Sequence, residues 1–351
     1  MRRRGVFKVP GGKLVAVEFE IRSGLLTDVQ VSGDFFLEPA GALDRIIRAL
    51  EGTSQQANLP ALTQTITTAL ADDDVLIGFD ARAVGIAVRR ALGKSTTWSD
   101  HTFELIVDGP RSPACHMALD QVYAEALGAG RRGPTLRVWQ WGGRAVIIGS
   151  YQSLRNEVDL DAAASHGVEV VRRISGGGAM FVEPGNTITY SLVVPGSLVD
   201  GLSFEASYEF LDRWVVEALI ELGVEASYQP INDIASPAGK IAGAAQRRMA
   251  DGTVLHHVTM AYDIDAAKMT KVLRIGREKL SDKGTVSAVK RVDPLRSQTG
   301  LSREAVIDAL VGYFARHREL VPSAPRPEEL TAAEALVQSK FSSPSWTARI
   351  P

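Results

Sequence analysis

The chain has 351 residues, 45% hydrophobic and 23% charged, which is too long for one ordinary core and predicts two domains. With 39 basic and 41 acidic side chains the formal net charge is −2, so no basic field is available to wrap a nucleic acid. The single cysteine, Cys115, excludes an intrachain disulfide and a thiolate metal cage, which suits a reducing compartment. The apolar runs are too short to span a bilayer. The opening MRRRGVFKVPGGK has basic residues without a following apolar stretch, so no signal peptide is expected and the protein reads as cytoplasmic, with no membrane partner.

From Lys13 to Ile21, Val15, Val17, Phe19 and Ile21 alternate with Leu14, Ala16, Glu18 and Glu20, a period of two that predicts a strand. Val29 and Val31 continue the alternation after Arg22-Ser23-Gly24, so the two runs form a hairpin. Helical patterns follow at about 40–51, 60–71 and 80–92, giving a small α/β domain over residues 1–95 with helices on one face of its sheet. The polar stretch Gly93 to Thr97 marks the boundary. Ser112-Pro113 then opens a helix with Cys115, Leu119, Val122 and Ala126 at helical spacing, ended by Gly128. Strands are expected at Thr135–Trp141, Ala145–Ser150 and Glu169–Arg173, and helices near 159–166 and 203–222. The second of these carries Phe204, Tyr208, Leu211, Val215, Leu219 and Leu222 on one stripe and stops at Gly223. Strands Lys240–Arg247 and Thr253–Asp263 flank the hairpin turn Met249-Ala250-Asp251-Gly252. Residues 96–325 therefore form a large mixed α+β domain, and 326–351 a tail.

The densest anomaly is Arg172-Arg173-Ile174-Ser175-Gly176-Gly177-Gly178-Ala179-Met180-Phe181. Three glycines after a strand forfeit burial and cost backbone entropy, so the backbone is bare because something approaches it. Such a loop can wrap a phosphate, and the arginines before it supply fork-shaped donors for an anion. It is neither a Walker A loop nor a G-x-G-x-x-G fingerprint. A second cluster is Asn232-Asp233 followed by Gly239-Lys240-Ile241-Ala242-Gly243-Ala244-Ala245-Gln246-Arg247. On a regular strand Lys240, Ala242 and Ala244 share a face, placing one ammonium beside a shelf with almost no side chains, where it can neutralise a carboxylate or an α-phosphate. Asp233 is the candidate for a divalent cation. His256 and His257 are adjacent, so on a strand they point to opposite faces and serve structure rather than one metal ion. Cys115 lies on an apolar stripe and reads as a buried, inert thiol. The charged segment from Gly276 to Gly284, with Lys290-Arg291, reads as solvated. No serine, histidine and acid pattern stands out.

Together these blocks resemble the lipoate–protein ligase A family of the biotin/lipoate ligase group. The resemblance rests on Arg172 to Ala179, Gly185-Asn186 with Tyr190-Ser191, Asn232-Asp233 and Gly239-Lys240-Ile241-x-Gly243 through Arg247; the histidine pair and the segment from Lys283-Gly284 to Arg291-Val292 also fall in family order, and it covers about residues 100–325. It implies a mixed-sheet catalytic domain of the class II synthetase-like type. The first 95 residues resemble the accessory domain of such ligases, which ordinarily follows the catalytic one, and the stretch from Lys340-Phe341 to Trp346 resembles the one leading into it. The implied reaction uses ATP and Mg2+ to convert lipoate or octanoate to acyl-AMP, then passes the acyl group to a lysine of a lipoyl domain, such as an E2 subunit or a glycine cleavage H-like protein. Carried onto this chain, Lys240 is the catalytic residue. The adenylate lies against Arg173, Ser175, Gly176, Gly177, Gly178, Ala179, Met180 and Phe181, with Asn232 and Arg247 beside it and Asp233 on the metal. Val146, Ile148 and Met180 are the expected walls of the acyl slot. Val182 stands where many members have a histidine. The alternatives are an ATP-independent octanoyl or lipoyl transferase, whose members use a nucleophilic cysteine, and a non-catalytic lipoyl-domain binder, against which Lys240 argues; biotin ligase fits less well.

Overall fold

The computed structural model describes residues 2–9, 11–264, 269, 271–274 and 292–351. They divide into two compact units, Met1–Asp100 with Ser197–Ser203, and His101–Gly196 with Phe204–Pro351.

In the first unit, β1 (Arg3–Lys8), β2 (Leu14–Arg22) and β3 (Leu25–Gly33) form an antiparallel sheet in that order. The expected hairpin is present, and Ser23 and Gly24 both take positive φ, 53° and 80°, as its two-residue turn requires. β1 was not expected, because RRGVFK shows no alternation. A short pair, β4 (Phe36–Glu38) with β5 (Val75–Ile77), is likewise additional. The helices α1 (Gly41–Leu50), α2 (Leu59–Ala69) and α3 (Ala81–Ala91) lie where periodicity placed them. Asn58 and Asp80 start the last two by accepting hydrogen bonds from the N–H groups of Ala61 and Ala83. Val15, Val17 and Phe19 pack against Ile46, Leu62, Ile66, Val84 and Val88 in one apolar core. Arg89 grips Asp200 with two bonds of 2.8 Å, tying the returning segment 197–203 into this unit.

The second unit runs β6 (Phe103–Arg111), α4 (Pro113–Gly128), β7 (Thr135–Trp141), β8 (Ala145–Ile148), α5 (Leu154–Glu157), α6 (Leu160–Ser165), β9 (Glu169–Arg172), β10 (Met180–Val182), β11 (Thr187–Val194) and α7 (Phe204–Glu221). It continues with β12 (Ser227–Gln229), β13 (Asp233–Ser236), β14 (Gly239–Arg248), β15 (Val254–Ala261) and β16 (Leu320–Ser323). Eight strands form a mixed sheet in the order β12-β13-β14-β15-β11-β7-β6-β16, with β6 parallel to both neighbours, and three form a smaller sheet, β10-β8-β9. Pro113 begins α4, with Ser112 Oγ accepting from Cys115 N–H at 3.3 Å, and the β14–β15 turn has Gly252 at φ 91°. β11 went unread because all eight of its residues are buried, so no alternation marks it. The architecture is α+β, and no helix among the described residues is long and apolar enough to cross a membrane.

Candidate functional site

The glycine loop leaves β9 and returns through β10. Two of its close approaches are obligatory: a Cβ on Gly149 would lie 2.1 Å from the Gly177 carbonyl oxygen, and Gly177 itself has φ +88°. Gly178 is different, since a Cβ there would meet nothing within 4 Å, and at Gly176 the nearest atoms are in the Tyr151 ring at 3.8 Å. Packing does not demand these two glycines, so the loop presents bare backbone. Arg173 explains its orientation. The buried guanidinium donates from Nη2 to the Gly176 and Gly178 carbonyls at 2.6 and 2.8 Å, from Nη1 to the Ile147 carbonyl at 3.1 Å, and from Nε to Ser175 Oγ at 3.0 Å. In a trans peptide C=O and N–H point in opposite directions, so pulling these carbonyls inward turns the N–H groups of Gly177 and Ala179 outward. Those two amides are what the loop leaves facing away from Arg173.

The arginines themselves do not fill the role expected of them as anion forks. Arg173 is spent on the loop, and burial lowers its pKa to about 10. Arg172 donates to the carbonyls of Gly149, Gln152, Thr347 and Ile350 and so clamps the tail, which Trp346 Nε1 secures by donating to the Arg172 carbonyl at 2.8 Å. Both guanidiniums are buried at a strand end, where every donor needs an internal acceptor.

Lys240 also departs from the regular strand. Ala242 pairs with Ile234 while Lys240 pairs with Ala235, so Ile241 is an extra residue, a bulge in β14. The bulge moves Lys240 off the face of Ala242 and Ala244 and onto that of Gly243 and Ala245. A Cβ on Gly243 would sit 2.8 Å from Lys240 Nζ, and Ala245 Cβ lies 3.7 Å from the Cβ position of Gly177. The shelf beside the lysine is therefore Gly243 and Ala245, and it leads directly to the glycine loop. Lys240 Nζ is 2.7 Å from Asp233 Oδ1, with the ammonium side chain 34% exposed and the carboxylate 9%. Asn232 is pinned by donating from Nδ2 to the Ala244 carbonyl at 2.6 Å, and Arg247 Nη1 donates to the Ile174 carbonyl at 2.8 Å, bracing the loop from β14. Among the described residues no group of three His, Cys, Asp or Glu could hold a metal ion. Asp233, with Oδ1 paired to Lys240, brings a single carboxylate to this position.

Beneath the loop runs a buried chain that sequence patterning did not find. Ser175 Oγ is 2.6 Å from His257 Nε2, and His257 Nδ1 is 2.8 Å from Asp120 Oδ2. Asp120 also accepts from Ser191 Oγ at 3.0 Å and Arg137 Nη1 at 3.3 Å, and Arg137 Nη2 donates to Asp108 at 3.0 Å. The order is that of a catalytic triad, but Ser175 is 1% exposed and its oxygen already accepts from Arg173, so it has no path to a substrate. His256 points to the opposite face, where its Nε2 is 2.6 Å from Asp212, so the two histidines serve separate carboxylates as their adjacency predicts. Ser175 and the histidine pair stood out in the sequence, and a further cue is the polar pair His116 and Asp120, one helical turn apart among the apolar residues of α4.

The acyl-slot residues do not line one wall. Val146 and Ile148 pack with Phe181 in one buried cluster, whereas Met180 packs on the other, with Ile147 and Val182. Alternation along β8 and β10 enforces the split. Cys115 is half-buried, and burial pushes its thiol up, away from an activated thiolate. The charged segment Gly276–Gly284 and Lys290-Arg291 lie outside the described residues.

The large mixed sheet with its flanking helices is the α+β fold of the biotin/lipoate ligases. Residues 112–315 match the family described as lipoyl protein ligase A/B catalytic domain, and the chain belongs to that family of lipoate ligases and octanoyltransferases. An octanoyltransferase LipM of Symbiobacterium thermophilum is 30% identical over 275 residues, spanning 70% of this chain and 98% of its own. A bipartite lipoate protein ligase of Thermoplasma acidophilum, studied with its E2 lipoyl domain, superposes with TM-score 0.62 at 28% identity, covering 72% of this chain and 97% of that one. A lipoate-protein ligase A bound with ATP gives TM-score 0.61 at 25% identity over 71% of this chain and 100% of the other.

Proposed function

We propose that the protein is an ATP-dependent lipoate–protein ligase, which converts lipoate or octanoate to acyl-AMP and transfers the acyl group to a lysine of a lipoyl domain. The observation that carries this reading is the bare backbone of Gly176 to Gly178, reached from the Lys240 ammonium along Gly243 and Ala245. In the first step a carboxylate oxygen attacks the α-phosphorus and pyrophosphate leaves. The outward N–H groups of Gly177 and Ala179 hold phosphate oxygens, and Lys240 neutralises carboxylate and phosphate as they meet. Asp233 would hold magnesium, which would supply positive charge to the phosphates when bound. In the second step the acceptor lysine's amine attacks the acyl carbon and AMP departs, its charge still facing Lys240. Residues 1–95 take the part of the accessory domain, and the reaction belongs to the cytoplasm.

The transferase alternative has support in the relative named octanoyltransferase, but it requires a nucleophilic thiol, and Cys115 is half-buried with its pKa raised. Exchange of labelled pyrophosphate into ATP separates the two. The ligase reading requires lipoate- or octanoate-dependent exchange, lowered at least about 100-fold by Lys240→Ala. Absence of exchange, together with octanoyl transfer from a thioester without ATP, would replace ligation with transfer.

A further inference from the structure

The buried chain under the glycine loop has a fixed hydrogen-bond polarity. Asp120 Oδ2 faces His257 Nδ1 at 2.8 Å, and a carboxylate beside the Arg137 guanidinium has only acceptors to offer, so Nδ1 carries the proton. His257 Nε2 is then an acceptor, and Ser175 must donate its hydroxyl proton to it across 2.6 Å. That leaves the lone pairs of Ser175 Oγ for Arg173 Nε at 3.0 Å, while Arg173 Nη2 draws in the Gly176 and Gly178 carbonyls. Each link dictates the next. Reversing the first one makes Ser175 Oγ accept from both His257 Nε2–H and Arg173 Nε and leaves its own buried O–H without an acceptor; a serine that turns to satisfy that proton gives up Arg173, which aims the loop amides.

We infer that Asp120 and His257 are positioning residues for the anion cradle: by holding His257 in the Nδ1–H tautomer, Asp120 fixes Ser175, Arg173 and the outward N–H groups of the glycine loop. The inference deepens the ligase reading and rests on it for the identity of the ligand, an acyl-adenylate. It also accounts for a costly feature, since ionised groups buried this deeply are not explained by stability alone.

Asp120→Asn tests it with little change of shape. Oδ1 already accepts from Ser191 and Arg137, so the amide keeps its oxygen there and turns its NH2 toward His257 Nδ1, forcing the ring proton to Nε2. In the full-length protein with 15N-labelled histidine, NMR should find His257 protonated at Nδ1 in the wild type and at Nε2 in the variant. A non-hydrolysable sulfamoyl analogue of acyl-AMP should bind about 100-fold more weakly to the variant. Ser175→Ala, which cuts the chain at its other end, should weaken binding similarly, and the double variant should be no worse than either single one. A wild-type ring protonated at Nε2, or variants that bind the analogue as tightly as the wild type, would overturn the inference. Failure of the ligase reading has a different signature, because the wild type itself would then not bind the analogue.

Discussion

The two units bury different chemistry. The N-terminal core, built on Val15, Val17, Phe19, Ile46 and Leu62, is apolar throughout, whereas the second unit buries Asp108, Asp120, Arg137, Arg172, Arg173, Asp212, His116, His256 and His257. The first core depends on burial of area and tolerates any apolar residue of suitable volume. The second depends on a network in which each member satisfies another, so the loss of one strands the rest. That contrast also separates scaffold from site, since the network ends on the glycine loop.

The largest expected effect comes from removing the hub. Arg137 contacts Asp108, Asp120 and His116, the last at 2.6 Å, and Arg137→Ala leaves Asp120 buried without its guanidinium and Asp108 with Arg111 alone. A loss of about 3–5 kcal/mol is expected in urea unfolding. Ile66→Ala in the N-terminal core supplies the reference, at about 2–4 kcal/mol from lost apolar burial and the cavity it leaves. If the arginine variant proved much milder than the isoleucine variant, the buried charges would be compensated by something other than their pairing.

This contrast also governs what could be read from sequence. The helices α1–α3 and the β2–β3 hairpin follow from apolar periodicity, because their cores contain nothing else. The glycine loop and Lys240 were legible because triple glycine and a lysine among alanines are wasteful for packing. The Asp120–His257–Ser175 chain was not, since its members lie on three separate elements and each resembles an ordinary polar residue until the fold brings them together. The bulge at Ile241 was equally invisible, being one extra residue in an otherwise regular run, yet it changes the face on which Lys240 projects. β11 lost its signature to burial on both faces.

A titration tests the comparison next. Burial, with Arg137 adding to it, pushes His116 down to about 2; its Nε2 donates to the Gln140 carbonyl at 2.7 Å while Nδ1 accepts from Arg137. His257 is also lowered, by burial first, with Asp120 opposing the shift. Unfolded rings titrate near 6.5, so between there and the native values the unfolded chain binds more protons, and stability must fall as pH is lowered through about 6.5. For His116 alone the loss between pH 7.5 and 5 should be about 2 kcal/mol. Residues 2–95 contain no histidine, so the whole effect originates in the second unit. Urea midpoints measured across this range should decline, and His116→Gln should flatten the slope; an unchanged slope would place the protons elsewhere.

The smallest stability effects separate packing from function within a single loop. Gly177→Ala adds a methyl 3.0 Å from Arg173 Nη2 at φ +88°, so it should cost about 1–2 kcal/mol and disturb the arginine as well. Gly178→Ala adds one where nothing lies within 4 Å, and its stability should stay within about 0.5 kcal/mol of wild type. The two variants are expected to converge only in binding. A methyl at Gly178 stands on the open surface a phosphate must approach, and one at Gly177 presses on the arginine that aims the loop amides, so acyl-adenylate affinity should fall at least about 10-fold in each, measured by calorimetry beside thermal melts. If Gly178→Ala bound normally, the phosphate would have to lie elsewhere, and the bare backbone at that position would lose the only role its open surroundings leave for it.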